Sequence, residues 1–424
     1  MSACAIVLAG GKGTRSADPT VPKVSQEIGG KSLLQWQIDL IREAGIPEAI
    51  VVAGHLSEAV FALCELLDTT GVKLQVVSEP HPQGTVKAVE FAAEFTSSTN
   101  FLVLSGDVLA KFPSKEFLQQ FEASGANAAV VIHPSTHPQD SDKVFPRHDT
   151  TVQVLAKGQS SEGIPNLASA GVFALTREAL ANYGTAKDIG SDLLFLAAEN
   201  HDLFAFNSSH YLKDTGTPDR LASAQKDYES GTFARRSAPV LRHAILLDRD
   251  GVINAVNPEV YRSSDYQVLP GVAAALTRIN QSGIPVFVVT NQPGIAKGYM
   301  SFHEHERIRA SLDQQLGSCS AFVDDYYFCP HHPEGGHEGE VLRLKTNCSC
   351  RKPNTGMAIS IANDHGVDLR GSIVIGDTWR DEGLATRIGS EFLHVSANCQ
   401  LSSQHKCFPS TPAALANALD QLTC

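Results

Sequence analysis

Short apolar runs that stop at a glycine or an aspartate recur along the chain: "AIVLAGG" at its start, then "AIVVAG", "FLVLSGD", "AILLDRDG", "IPVFVVTNQ" and "SIVIGD". A run of this length bounded by polar turn residues reads as a strand buried on both faces. Amphipathic stretches such as Leu33–Glu43 fall between the runs. Strands alternating with helices favour parallel sheets with helices on both faces, and ligands then collect beyond the carboxyl ends of the strands. The polar residues sit at those ends here: Gly10–Arg15, Gly106–Asp107, Asp248–Asp250, Thr290–Gln292 and Gly376–Asp377. The expected fold class is therefore α/β.

Two of these loops open two halves, "AIVLAGGKGTR" at the start and "AILLDRDGVIN" from Ala244. Between them "ESGTFARRSAPVLRH" has no apolar periodicity and carries Gly, Pro, Ser and three arginines. We expect two Rossmann-like domains, 1–232 and 242–424, joined by a linker over 233–241. At 424 residues the chain can bury a core in each. A formal net charge of -12 argues against a broad grip on nucleic acid or an acidic membrane, so phosphate must be held by placed cations, backbone amides and metal ions. No apolar stretch approaches the ~18 residues of a membrane span. "MSACAIVLAGG" has no basic leader and reads as a strand entering a loop, not a signal peptide. Of nine cysteines, Cys4, Cys64, Cys319, Cys399, Cys407 and Cys424 are scattered. They are expected to be simple core or surface thiols of a cytoplasmic protein.

In the first half, "LAGGKGTRSADPTVPK" supplies Gly10, Gly11, Gly13 and Thr14, then Arg15 and Lys23. Glycines after a strand let backbone amides approach phosphate oxygens, and the two cations can neutralise a triphosphate and its pyrophosphate leaving group. The loop lacks the Gly-Lys-Ser/Thr of a P-loop and the spacing of a dinucleotide fingerprint. Asp107 follows the run "FLVLS" and Asp214 precedes a Thr-Gly-Thr-Pro turn; two such carboxylates can hold Mg²⁺ against nucleotide phosphates. Gly84 and Thr85 stand at an expected helix start, suited to a base or ribose. Together these stretches, over residues 3–225, resemble the sugar-1-phosphate nucleotidyltransferases, whose fold is GT-A-like. The resemblance implies in-line attack of a sugar phosphate on an NTP, with Arg15 and Lys23 as catalytic cations and Asp107 and Asp214 as Mg²⁺ ligands. It also implies sugar-phosphate contacts from Lys157 and from the stretch around Gly171, although Ala156 and Ser169 replace the Glu and Asn usual there.

In the second half, Asp248 and Asp250 stand two apart at a strand end, so in extended backbone both carboxylates face the same side. One can attack while the other moves a proton. Thr290, Lys352, Asp377 and Asp381 follow in order. The set resembles the haloacid dehalogenase (HAD)-type phosphatases. That implies Asp248 as nucleophile, Asp250 as acid and base, and Thr290 and Lys352 on the phosphoryl oxygens. Mg²⁺ is expected on Asp248, the backbone carbonyl of Asp250, and Asp377, while Asp381 orients Lys352 or a metal-bound water. Cys329, His331, Cys348 and Cys350 supply three thiols and one imidazole, enough for a closed, structural Zn²⁺ site; His332 and His337 are alternative donors. Such a metal anchors Cys350 and thereby places Arg351, a substrate-binding candidate, beside Lys352. "DRDGVIN", "TNQPGIAKG" with Asn291 as a further substrate-binding candidate, and the Cys/His loop narrow the resemblance to the heptose 1,7-bisphosphate phosphatases, relatives of the histidinol-phosphate phosphatases; Thr378 replaces a commonly basic residue.

The two resemblances interlock, since removing the 7-phosphate from a heptose 1,7-bisphosphate leaves a heptose 1-phosphate. They imply a bifunctional enzyme making an NDP-heptose from small-molecule substrates, with GTP the favoured nucleotide. Two other readings stay open. One pairs a hexose-1-phosphate transferase with a histidinol-phosphate-like phosphatase; the other makes the first half a nucleotide-sugar sensor.

Overall fold

The computed structural model describes residues 3–11, 20–135, 142–146, 151–155, 164–237, 241–255, 266–399 and 406–423. Most of residues 1–238 gather into one compact unit and most of 239–424 into another.

The first unit is built on a nine-stranded sheet. Its centre is the strand Ala3–Ala9, parallel to Glu48–Ala53 on one side and to Asn100–Ser105 on the other. Its loops therefore open at the carboxyl end, as expected. The helix Leu33–Glu43 has the bounds read from the sequence. Ser32 caps it, its hydroxyl accepting from the Gln35 amide, and Leu34, Ile38 and Ile41 turn one stripe into the core. The sheet is mixed, not parallel throughout, which corrects the expectation. Leu167–Thr176 runs antiparallel to Asn100–Ser105, and Val152–Leu155 runs antiparallel to Lys143–Pro146. From Ala128 to Thr176, strand follows strand with no helix among the described residues, and chain without crossover helices pairs antiparallel. A two-stranded ribbon, Val108–Lys111 against Tyr211–Asp214, sets Asp214 opposite Val108.

The second unit has a six-stranded, wholly parallel sheet in the order Asp325–Cys329, Val286–Asn291, Ile245–Leu247, Ile373–Gly376, Glu391–Val395, Lys406–Phe408. Ile245 and Leu247 face one apolar layer with the helices Val272–Ser282 and Thr411–Thr423. Leu246 faces the other, with Gly356–His365 and Trp379–Ile388. Burial on both faces explains why the central strands Val286–Asn291, Ile245–Leu247 and Ile373–Gly376 read as apolar runs. Neighbours lie on both sides of Ile245–Leu247, so its carboxyl end is the switch point where such sheets form a crevice.

Two further expectations are corrected. The two units divide within the stretch read as a linker, 233–241, but that stretch begins inside the short helix Thr232–Arg235, and Phe233 is buried with Ile28, Leu33, Leu109 and Tyr211. A Gly/Pro/Arg-rich composition hid one buried aromatic. Cys399 and Cys407 are not free thiols but a disulfide, because parallel pairing of Glu391–Val395 with Lys406–Phe408 brings their Cα atoms to 5.7 Å.

Candidate active sites

In the second unit Asp248 follows the central strand, its amide donating to the Ile375 carbonyl at 2.9 Å. The Lys352 ammonium, almost fully buried, lies 2.9 Å from Asp248 Oδ1 and 2.5 Å from Asp381 Oδ1. Carboxylate oxygens of Asp248, Asp377 and Asp381 all fall within 4.8 Å of one another. Burial pushes the Asp248 carboxyl up; Lys352 pulls it back, Asp381 pushes it up again, and the net shift is upward. Burial likewise opposes charge on Lys352, but Asp248 and Asp381 outweigh it and raise its pKa. Burial and then the Asp381 charge raise Asp377. Three carboxylates facing one ammonium leave net negative charge, an environment for a hard cation. The backbone holds this set in place: Thr378 caps the helix Trp379–Ile388 and its hydroxyl donates to Asp381 Oδ2 at 2.6 Å, leaving Oδ1 for Lys352.

The Asp250 carboxylate stands outside this group. It accepts from the Arg249 guanidinium at 2.9–3.2 Å, from Asn254 Nδ2 at 2.9 Å and from Gln292 Nε2 at 2.8 Å. Burial works against its charge, but Arg249 and the hydrogen bonds from Asn254 and Gln292 prevail, and its pKa is lowered. The same Gln292 nitrogen lies 2.8 Å from Thr290 Oγ1, so one buried amide ties the candidate acid to the candidate phosphate-holding hydroxyl. Arg249, fully buried, stacks over the Tyr266 ring. Arg249, Asn254 and Gln292 were not singled out from the sequence, though all three lie inside "DRDGVIN" and "TNQ". Asn291 bonds the backbone of Lys352 twice: its Oδ1 accepts from the Lys352 amide at 2.9 Å and its Nδ2 donates to the Lys352 carbonyl at 3.1 Å.

Cys329, His331, Cys348 and Cys350 converge, with donor atoms within 4.8 Å of one another. Sulfur–sulfur distances are 3.5 Å for Cys329–Cys348 and 3.3 Å for Cys348–Cys350, and His331 Nδ1 is 3.3 Å from Cys350 Sγ. His332 and His337 lie outside the cluster: His332 Nδ1 faces the Glu334 carbonyl, and His337 Nδ1 meets the Tyr299 hydroxyl at 2.9 Å. Arg351 donates to the His331 carbonyl at 3.1 Å, binding the two ends of the loop together.

In the first unit Lys23, Asp107 and Asp214 converge. Lys23 Nζ is 2.8 Å from Asp107 Oδ2. A Cβ placed on Gly216 would meet Asp107 Oδ2 at 2.7 Å, Asp214 Oδ1 at 2.8 Å and Lys23 Nζ at 3.3 Å, so only glycine leaves room between them. Arg220 pairs with Asp214 from the first turn of the next helix, Pro218–Glu229, which Thr217 caps. Gly10 ends the central strand against Gly54, and Gly11 is exposed. Gly171, at φ +71°, packs against Ser105, two residues from Asp107. Gly84 and Thr85 do start a helix, Thr85–Ala93, but the Thr85 hydroxyl donates to Asp188 Oδ2 and accepts from the Ile189 amide. Gly13, Thr14, Arg15 and Lys157 lie outside the described residues.

The nucleotidyl transferase family matches residues 4–231, and a HAD-hydrolase-like family matches 349–422. A D-glycero-beta-D-manno-heptose-1,7-bisphosphate 7-phosphatase of Rhodopseudomonas palustris is 38% identical over 153 residues, 36% of this chain and 82% of that protein. The protein of that name from Escherichia coli K12 is 34% identical over 152 residues, 35% of this chain and 78% of its own length. Among solved structures, HddC of Yersinia pseudotuberculosis complexed with GMP-PN is 20% identical, with a TM-score of 0.45, over 53% of this chain and 99% of that one. A D,D-heptose 1.7-bisphosphate phosphatase from B. bronchiseptica complexed with magnesium and phosphate is 29% identical, with a TM-score of 0.37, over 42% and 99%.

Proposed function

This chain belongs to the nucleotidyl transferase family through residues 4–231 and to the heptose-1,7-bisphosphate 7-phosphatase family through its second unit, and from that premise we propose that it makes an NDP-heptose in two consecutive steps. The first step hydrolyses the 7-phosphate of D-glycero-D-manno-heptose 1,7-bisphosphate. The second transfers a nucleotidyl group, GTP favoured, to the resulting heptose 1-phosphate with release of pyrophosphate. The observation that carries this reading is the gathering of Asp248, Lys352, Asp377 and Asp381 at the end of one strand, with Asp250, Gln292 and Thr290 linked beside them.

In the phosphatase step Asp248 attacks phosphorus, the bond from phosphorus to the sugar oxygen breaks, and Asp250 protonates that oxygen. Water assisted by Asp250 then cleaves the aspartyl-phosphate. Arg249, Asn254 and Gln292 favour the Asp250 anion, the form that takes a proton from water. An arriving phosphate dianion raises its pKa, which lets it hold the proton it delivers. Thr290 and Lys352 hold phosphoryl oxygens, and Asn291 positions Lys352 through its backbone. An all-oxygen donor set of Asp248 and Asp377, joined by the Asp250 carbonyl, fits Mg²⁺, which when bound screens the repulsion between carboxylate and dianion. Asp381 has its second oxygen occupied by Thr378 and serves to orient Lys352.

The Cys329, His331, Cys348 and Cys350 set fits Zn²⁺. A tetrahedron with ~2.3 Å metal–sulfur bonds has sulfur–sulfur edges of roughly 3.8 Å, close to the observed spacings. Four donors close the site, so its task is to fix the loop that delivers Lys352. In the first unit Gly10, Gly11, Gly13 and Thr14 cradle the triphosphate, Arg15 and Lys23 neutralise it, and Asp107 and Asp214 hold Mg²⁺. Gly84 and Thr85 line the base side through their backbone, the Thr85 hydroxyl being held by Asp188 and Ile189, with Lys157 and Gly171 on the sugar side.

The test is phosphate and pyrophosphate release from the full chain with Mg²⁺, each anomer of heptose 1,7-bisphosphate and each NTP in turn. Phosphate release followed by pyrophosphate with one preferred NTP is expected. Phosphate without pyrophosphate from any NTP overturns the transferase half; no phosphate from either anomer overturns the phosphatase half.

A further inference from the structure

Trp379 is among the most exposed large apolar side chains of the described residues, 62% accessible, and it sits two residues after Asp377 and two before Asp381. The Arg380 guanidinium lies over the indole, 5.0 Å from the ring centroid. Arg380 has no hydrogen bond or ion pair among the described residues, an unusual state for a guanidinium in a chain of net charge -12. Arg351, by contrast, has part of its donor fork committed to the His331 carbonyl.

The helix Trp379–Ile388 shows which way this pair faces. Residues four apart form one row on a helix, and Trp379, Gly383 and Arg387 are such a row. Arg387 donates to Asn354 Oδ1 at 2.7 Å, and a Cβ on Gly383 would lie 2.8 Å from Pro353 Cβ. The row thus runs along residues 353–354 toward Lys352, and Trp379 is its last member at the site end. Helical side chains lean toward the amino terminus, here the end that carries Asp377 and Thr378. The indole and the guanidinium therefore stand at the rim of the acidic cluster, beside the segment that delivers Lys352.

We propose that Trp379 and Arg380 form the subsite for the far end of the phosphatase substrate: the indole face takes the apolar C–H face of the sugar, and the guanidinium takes an anionic group beyond it, the phosphate that is not cleaved. This rests on the reading of the second unit as a sugar-bisphosphate phosphatase. An aromatic face pairs with a carbohydrate ring as with any half-apolar surface, and a guanidinium is the side chain best matched to phosphate. The subsite makes the enzyme select a bisphosphate over a monophosphate and presents the 7-phosphate, not the anomeric one, to Asp248.

Two measurements test it on the full-length protein. The first compares kcat/KM for heptose 1,7-bisphosphate, heptose 7-phosphate and acetyl phosphate in wild type, Trp379→Ala, Trp379→Phe and Arg380→Ala. Ratios between substrates cancel any fraction of misfolded protein. Arg380→Ala is expected to lower the bisphosphate-to-monophosphate ratio about tenfold, the worth of one charge-assisted hydrogen bond. Trp379→Ala lowers both sugar phosphates against acetyl phosphate by about fivefold, with Trp379→Phe recovering most of it. The second uses the fact that the chain has two tryptophans, Trp36 in the first unit and Trp379. In a Trp36→Phe, Asp248→Asn background, heptose 1,7-bisphosphate is expected to change the remaining fluorescence saturably and inorganic phosphate is not. Unchanged substrate ratios in Trp379→Ala and Arg380→Ala, with wild type turning over the bisphosphate, overturn the subsite and leave the phosphatase reading intact. Wild type that hydrolyses acetyl phosphate but neither sugar phosphate overturns the reading on which the subsite rests.

Discussion

Replacing Gln292 with leucine removes one donor from between two groups of the phosphatase site while keeping nearly the same volume. Its Nε2 lies 2.8 Å from both Asp250 Oδ2 and Thr290 Oγ1. A hydrogen bond to a charged group is worth ~1.5–3 kcal/mol. The Asp250 side chain is 33% exposed, so water screens it and Arg249 and Asn254 remain; the lower end of that range applies. About 1.5 kcal/mol corresponds to roughly a tenfold fall in kcat/KM at pH 7. Steady-state phosphate release from heptose 1,7-bisphosphate reads it directly. The sign with pH also follows. A carboxyl held below its ordinary pKa adds stability above that value, and the contribution fades as pH falls through the lowered pKa. The stability deficit of Gln292→Leu is thus largest at neutral pH and shrinks in acid. Gln292→Glu supplies a sharper check: its carboxylate repels Asp250 at pH 7, but once protonated it donates again, so its activity relative to Gln292→Leu rises as pH falls. A Gln292→Leu enzyme within twofold of wild type at pH 7 refutes the bridging argument.

Other expected outcomes are as direct. Asn291→Ala removes both hydrogen bonds to the Lys352 backbone, and phosphate release is expected to fall by about one order of magnitude, with pyrophosphate release from supplied heptose 1-phosphate untouched. Cys348→Ser breaks the Cys/His quartet; bound zinc by elemental analysis is expected to drop from near one per chain, with loss of phosphatase activity in step. Asp214→Ala is expected to abolish pyrophosphate release and leave phosphate release at the wild-type rate, which separates the two units in one measurement.

Much of this was legible because strand ends are written in composition. Asp107, Asp248, Thr290 and Asp377 each follow an apolar run, and the amphipathic stretch Leu33–Glu43 became a helix with those bounds. Direction was not legible. Leu167–Thr176 is as apolar as its neighbours, and a buried run reads the same whether it pairs parallel or antiparallel. Nor was the target of a polar side chain. Asn291 sits beside Thr290 as a ligand-facing residue would, yet its amide closes on the Lys352 backbone, and Thr85 turns to Asp188. Gln292 went unread because its partner Asp250 is reached only once the Ile245–Leu247 and Val286–Asn291 strands pair, while Arg249 and Asn254 lie beside Asp250 in sequence but their turn toward its carboxylate is set by the local backbone. The two carboxylates two apart share a strand end, yet one joins Lys352 and the other joins Arg249, a division that appears only with the neighbouring loops in place.

The ribbon Val108–Lys111 with Tyr211–Asp214 bears on how the protein comes to life on the ribosome. Asp107 and Asp214 meet only through this pairing, and Lys23 joins them from near the amino terminus. Chains grow at ~5–20 residues per second, so a nascent chain can hold the sheet around Ala3–Ala9 for several seconds before Asp214 emerges. Contacts between residues this far apart also form late, since a long loop must close first. A polypeptide cut short before Tyr211 would therefore bury most of a core and still lack its acid pair. With the roles proposed for Asp107 and Asp214, nucleotide chemistry in this unit would begin only when its last strand has been laid down.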